Sequence, residues 1–168
     1  MKKQAVTLSV GFIMFISALG YLAFTSNSKL NWYKFDDGMA KAKKEKKLIL
    51  VDFYTDWCGY CKKMDAETYS NENVIKYLNE KFVLIKLNPE KDGNLTFKGT
   101  SYSAQEFTRG LGISGYPSTL FIEPNETLIT IVPGYIKTDE FLNIIEFIGE
   151  KAYNNQKYDD FLKNRKTR

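Results

Sequence analysis

Apolar positions along the chain fall into three patterns, each predicting a different element. The first is an uncharged run from Ala5 to Phe24 (AVTLSVGFIMFISALGYLAF), placed directly after Lys2 and Lys3. As a helix rising about 1.5 Å per residue, this run reaches ~30 Å, the thickness of a hydrocarbon core. A secretory leader needs an apolar stretch of only about 7–15 residues, so the length favours an uncleaved anchor. Ala23-Phe24-Thr25 and Ser26-Asn27-Ser28 nevertheless offer small-residue cleavage sites, and both fates stay open. A core helix fits less well, because the run is apolar all round and sits behind a basic N-terminus. In either fate the basic end stays inside and the rest of the chain is exported.

The second pattern is the short apolar run. Leu48–Tyr54 (LILVDFY) is interrupted only by Asp52, and Phe82–Leu87 (FVLIKL) only by Lys86, as expected of strands buried on both faces of a parallel sheet. Thr119–Ile122 and Leu128–Val132 read as two further strands, joined by a Pro124-Asn125 turn. The third pattern has helical spacing. It predicts helices over Asp36–Lys46, Cys58–Thr68, Asn71–Lys81, Ser103–Leu111 and Thr138–Lys151. The last places Phe141, Ile144, Ile145 and Ile148 on one face, with Thr138-Asp139-Glu140 as its N-cap region. Residues 25–34 read as a polar linker, Pro89–Ser101 as a loop, and the segment from Asn154 as a polar tail with room for a short helix. The lysine cluster closing the first of these helices reads as a solvated face that complements the helix dipole.

The order α-β-α-β-α-β-β-α predicts an α/β domain with one mixed sheet and helices on both faces. The expected division is residues 1–28 as signal peptide or anchor, 29–152 as the domain and 153–168 as the tail.

Composition narrows the chemistry. Hydrophobic residues at 43% and aromatics at 15% suffice for a packed core. The formal net charge is +4; without Lys2 and Lys3, 22 basic residues face 20 acidic ones, which leaves no electrostatic footprint for nucleic acid. The chain contains no histidine, which excludes Ser-His and Cys-His catalysis and any metal site built on imidazole. It contains two cysteines, so no disulfide framework staples the fold.

Those two cysteines stand in Trp57-Cys58-Gly59-Tyr60-Cys61, after a buried strand and at the start of a helix. Helical residues three apart lie on one face with Cα atoms about 5 Å apart, close enough for a disulfide. At the helix N-terminus, Cys58 faces unpaired backbone N–H groups and the positive end of the dipole, which favours thiolate. Cys61, one turn in, is expected to be more buried. Cys58 is thus the expected attacking sulfur and Cys61 the resolving one. Two other readings are a permanent disulfide, which closes too small a loop to constrain the unfolded chain, and half of a metal site.

The segment from Val51 to Lys62 (VDFYTDWCGYCK) resembles the active-site strand and helix of thioredoxins. Gly115-Tyr116-Pro117-Ser118 is similar to the cis-proline loop of that family, and Gly134 to the glycine before its last helix. The resemblance covers roughly residues 34–150 and lies nearest to exported thioredoxin-like domains of the Dsb type. Where thioredoxin has a helix-kinking proline this chain has Ala66, and the helix breaks around Glu67–Asn71 instead, as in the exported group. The Gly-Tyr pair between the cysteines and Tyr116 before the proline also depart from thioredoxin, at positions that tune potential and substrate choice.

What the resemblance implies is a thioredoxin fold acting as an exported thiol:disulfide oxidoreductase, without a cofactor. Asp52 becomes a buried acid exchanging a proton with Cys61, and Lys86 on the neighbouring strand its charge partner. Pro117 and Tyr116 border the substrate, with Trp57 and Tyr60 as an apolar rim. Exported cysteine-containing proteins are the implied substrates, and a reductase among them needs a membrane thiol donor of electrons. An oxidase uses the same residues in reverse, and a copper-binding module of the same fold remains a separate reading.

Overall fold

The computed structural model describes residues 29–166; the apolar run 5–24 lies outside them. Among the described residues no helix is long and apolar enough to cross a membrane.

Five strands form the central sheet: β1 (Trp32–Tyr33), β2 (Leu48–Phe53), β3 (Phe82–Leu87), β6 (Ser118–Ile122) and β7 (Leu128–Pro133). Their spatial order is β1-β3-β2-β6-β7, with β1, β3 and β2 parallel, β6 antiparallel to β2, and β7 antiparallel to β6. All six residues of β2 are buried, which explains a near-continuous apolar run where a half-exposed strand would alternate.

Helices cover both faces. On one, α1 (Phe35–Glu45) and α4 (Ala104–Gly110) close over Ile49, Val51, Phe53, Val83, Ile85 and Leu120. A Cβ placed on Gly38 would come within 2.3 Å of Ile85 Cγ1, so only glycine lets α1 sit this close to β3. On the other face, α2 (Gly59–Glu67), α3 (Glu72–Lys81) and α5 (Thr138–Gly149) enclose Leu48, Leu50, Leu84 and Phe121. Asn71 caps α3 by accepting from the N–H groups of Asn73 and Val74. Ser103 and Glu106 form a capping box at the start of α4.

Three segments differ from the expectation. The predicted linker contains β1, where Trp32 and Tyr33 pair with Leu84 and Ile85; two residues are too few to show a period. The predicted loop Pro89–Ser101 contains a hairpin of β4 (Asn94–Phe97) and β5 (Thr100–Ser103), turning through Lys98 and Gly99 at positive φ. Its alternation is real but short, burying Leu95 and Phe97 between exposed Asn94 and Thr96. Thr138 does not cap α5; its hydroxyl donates to the Glu67 carbonyl, 3.0 Å away, and Lys137 takes the cap position without a side-chain bond.

Beyond α5, a 3-10 turn (Ala152–Asn154) leads to α6 (Tyr158–Lys166). Tyr153, Tyr158 and Phe161 gather around Phe147, with ring centroids 6.4, 5.3 and 5.4 Å away. Three aromatics among many polar residues carry this packing, and a window average dilutes them.

Candidate functional site at the C-terminal end of the second strand

Cys58 is the N-cap of α2, in extended backbone conformation (φ −71°, ψ 104°), and its sulfur accepts a hydrogen bond from the Cys61 N–H at 3.0 Å. A sulfur held by an orphan amide at a helix start is stabilised as thiolate once the pair is reduced. Cys58 and Cys61 are joined as a disulfide with Cα atoms 5.3 Å apart. Their exposures are 4% and 6%, so Cys61 is not the more buried of the two. The bond holds both sulfurs under one cover, and depth along the helix no longer separates them.

The residues flanking Cys58 and Cys61 in the chain include two aromatics that sit in water. Trp57 is 68% exposed and Tyr60 63%, against the fully buried phenylalanines of the core. The Trp57 ring meets Tyr116 edge-on, and Tyr60 lies beside Tyr135. The Trp57 indole N–H donates to both carboxylate oxygens of Glu90, at 3.1 and 3.0 Å. Glu90 stands on the turn after β3. Asn88 accepts from the Glu90 N–H, and its side chain donates to Asp56, which is also ion-paired with Lys91. This turn therefore braces the loop before Cys58.

Pro117 comes to the same end of the sheet because β6 begins beside the end of β2, with Ser118 opposite Phe53. The Tyr116-Pro117 peptide is cis. The Pro117 carbonyl accepts from the Gly134 N–H at 2.8 Å, which ties the proline loop to the segment before α5.

Near the end of β2, the strand that leads to the disulfide, Asp52 is 2% exposed and its Oδ1 makes no hydrogen bond among the described residues. Burial pushes its carboxyl up to about 7; Lys86 opposes the rise and Asp65 adds to it. Lys86 lies directly across from Asp52 in the parallel register. Its ammonium, however, stands 3.7 Å from Asp52 and only 2.6 Å from Asp65. The expected Asp52–Lys86 pair is thus a triad in which the outer carboxylate holds the lysine. Tyr69, also buried, packs its ring against Trp32 and Phe141, and its phenol is pushed well up by burial and by Asp52.

The structure brings Cys58, Cys61, Trp57, Tyr60, Tyr116, Pro117, Asp52 and Lys86 to one end of the sheet. Sequence reasoning missed Asp65, Glu90 and Tyr135. Asp65 had a signal, standing four residues after Cys61 on the same helical face. Glu90 and Tyr135 lie in connecting segments, where spacing carries no information about position.

The chain is similar in sequence and fold to several known proteins. The chain is 26% identical over 136 residues to the thiol:disulfide interchange protein DsbD of Campylobacter jejuni, covering 79% of this chain but only 22% of that protein. It is 31% identical over 108 residues to protein disulfide isomerase-like 2-2 of Oryza sativa, covering 64% of this chain and 25% of that one. The C-terminal domain of Neisseria meningitidis DsbD, in its reduced form, superposes with a TM-score of 0.51 at 26% identity, covering 66% of this chain and 90% of that one. A thioredoxin-fold protein from Helicobacter pylori shares the fold at a TM-score of 0.60 and 22% identity, covering 72% and 80%. The profile of the thioredoxin-like domain matches residues 35–149. On the extent of that match, the chain belongs to the thioredoxin-like domain family and has relatives of the Dsb type.

Proposed function

We propose that the protein is an exported thiol:disulfide oxidoreductase, held at a membrane by residues 5–24, that reduces or interchanges disulfides of extracytoplasmic proteins. The observation that carries the reading is Cys58 capping α2, with Cys61 one turn on and a buried carboxylate, Asp52, near the end of the strand that leads into the pair. In the reduced enzyme the Cys58 thiolate attacks a substrate disulfide, forming a mixed disulfide and releasing one substrate thiolate. The Cys61 thiol loses its proton to Asp52 and attacks Cys58, which releases the second substrate thiol and leaves Cys58–Cys61 oxidised. Two electrons pass to the substrate per cycle, and a membrane thiol donor restores the dithiol. The rim of Trp57, Tyr60 and Tyr116 offers apolar contact to an extended substrate lying along the Pro117 backbone.

The reduction potential of the Cys58–Cys61 couple, measured in glutathione buffers by alkylation and mass shift, tests the direction. A value near roughly −270 mV supports a reductase, and one near roughly −120 mV reverses it to an oxidase. Absence of a reversible disulfide sinks the redox reading.

Asp65→Asn tests the triad. Without the Asp65 charge, Lys86 is released towards Asp52 and lowers its pKa. The rate of the resolving step against pH then shifts to lower pH, with a few-fold gain below neutrality. An unchanged profile in single-turnover reduction would remove Asp65 from the mechanism.

A further inference from the structure

The end of the domain opposite the cysteines is built of lysines, and the chain enters the domain there. Strand β2 begins after Lys47 and β3 after Lys81, while Cys58 follows the far end of β2. Lys43, Lys44 and Lys46 are exposed at the close of α1. The Lys47 ammonium donates to the Asn79 carbonyl at 3.0 Å, and the Asn79 side-chain amide donates to the Lys29 carbonyl at 3.1 Å. One cleft at the β1–β3 edge is lined by Lys41, Glu45, Lys47 and Asn79, so the two helix ends and the entering chain share a corner. The acids of this corner are matched within it: Glu45 pairs with Lys41 and Lys47, and Glu80 with Lys81. Glu123 and Glu126 occupy the same end at the far edge, where Glu123 is paired with Lys151 and Glu126 accepts from the Lys98 N–H. The excess positive charge therefore lies on the corner where Lys29 enters.

Lys29 is fixed there, its carbonyl bonded to Asn79 and Leu30 buried next to it. Residues 25–28 alone separate it from the apolar run 5–24. Four residues span at most about 14 Å even when fully extended. With 5–24 seated in a bilayer, Lys29 is held within about 14 Å of the hydrocarbon edge, which keeps the lysine corner within reach of the headgroups. We infer that the corner formed by Lys29, Lys43, Lys44, Lys46 and Lys47 is a lipid-contact surface resting on anionic headgroups, which points the Cys58 end away from the membrane. A basic side chain within a Debye length of an anionic surface strengthens association about fivefold. Beta-strand β2 and the turn after it then carry the disulfide roughly 20 Å farther out, within reach of soluble substrates on the exported side.

This inference rests on the anchor proposed above, and one experiment separates the two. Full-length protein is assembled in nanodiscs of zwitterionic lipid or with added phosphatidylglycerol, and lysine acylation is read by mass spectrometry. Lys43, Lys44 and Lys46 are expected to react about fivefold more slowly on the anionic discs, in proportion to the association strengthened there. Lys62 and Lys63, near the cysteines, keep their rate, and added salt removes the difference. Lys43→Glu with Lys44→Glu is expected to abolish protection at Lys46 without altering insertion. Equal acylation on both lipids, with the chain inserted, overturns the lipid contact and leaves the anchor standing. A mature chain whose mass begins after residue 24 removes the tether and overturns both.

Discussion

Cys58→Ser is expected to reduce disulfide reductase activity to the uncatalysed background, while Cys61→Ser halts the enzyme on its substrate. The asymmetry follows from where each sulfur stands. Cys58 caps α2, and its sulfur receives the Cys61 N–H, so it is the one stabilised as a nucleophile. A hydroxyl in its place has no comparable acidity and forms no mixed disulfide. Cys61 enters only afterwards, so its replacement leaves the first step intact and the covalent complex unresolved. Incubation with a peptide disulfide and non-reducing mass analysis reads both variants. Trapping by Cys58→Ser and not by Cys61→Ser would reverse the assignment, and trapping by neither would remove the dithiol mechanism.

Asp52→Asn is expected to stabilise the protein at pH 8 and to slow it at the same time. The Asp52 carboxyl is pushed from 3.8 in the unfolded chain up to about 7 in the fold. Below 3.8 the group is protonated in both states and has no effect on stability. Between that value and about 7 the native state holds a proton that the unfolded state has released, so stability falls as pH rises. Above about 7 both states are ionised and the full penalty stands, about 4 kcal/mol for a shift of this size. Asparagine carries no such penalty, so the variant should gain about 4 kcal/mol at pH 8 and little at pH 4. Urea unfolding at the two pH values measures the difference. An equal difference at both would mean that packing, not ionisation, sets it. The kinetic loss belongs to the resolving step alone: with no carboxylate to take the Cys61 proton, mixed disulfide persists while alkylation of Cys58 is unchanged.

These two residues show how unevenly the site could be read from the sequence. Cys58 and Cys61 were legible because their chemistry is local, set by a spacing of three, a helix start and the strand before it. Asp52 was legible as an anomaly, one charge in a run otherwise free of it. Lys86 was visible for the same reason, but its allegiance was not. The parallel register puts it across from Asp52, and only the packing of α2 onto the sheet brings Asp65 to 2.6 Å and draws the ammonium outward.

The core strands β2 and β3 follow from their continuous apolar runs and the helices α1, α3 and α5 from helical period, because a run buried on both faces or along one stripe imprints itself on neighbouring residues. Elements of two to four residues, such as β1 and the β4–β5 hairpin, are too short for such an imprint to stand out. They exist because a partner strand or an apolar face was already in place to receive Trp32, Leu95 and Phe97.

By itself, then, the sequence determined the dithiol, the buried acid, the main layers of the fold and a charge-free run long enough to cross a bilayer. The tertiary structure alone decided which charges meet. It turned a pair into a triad, set Glu90 against Trp57, and gathered the lysines of α1 at the corner where Lys29 enters. Hydrophobic periodicity is a property of neighbours along the chain, whereas electrostatic partnership depends on distances that only the packed fold creates.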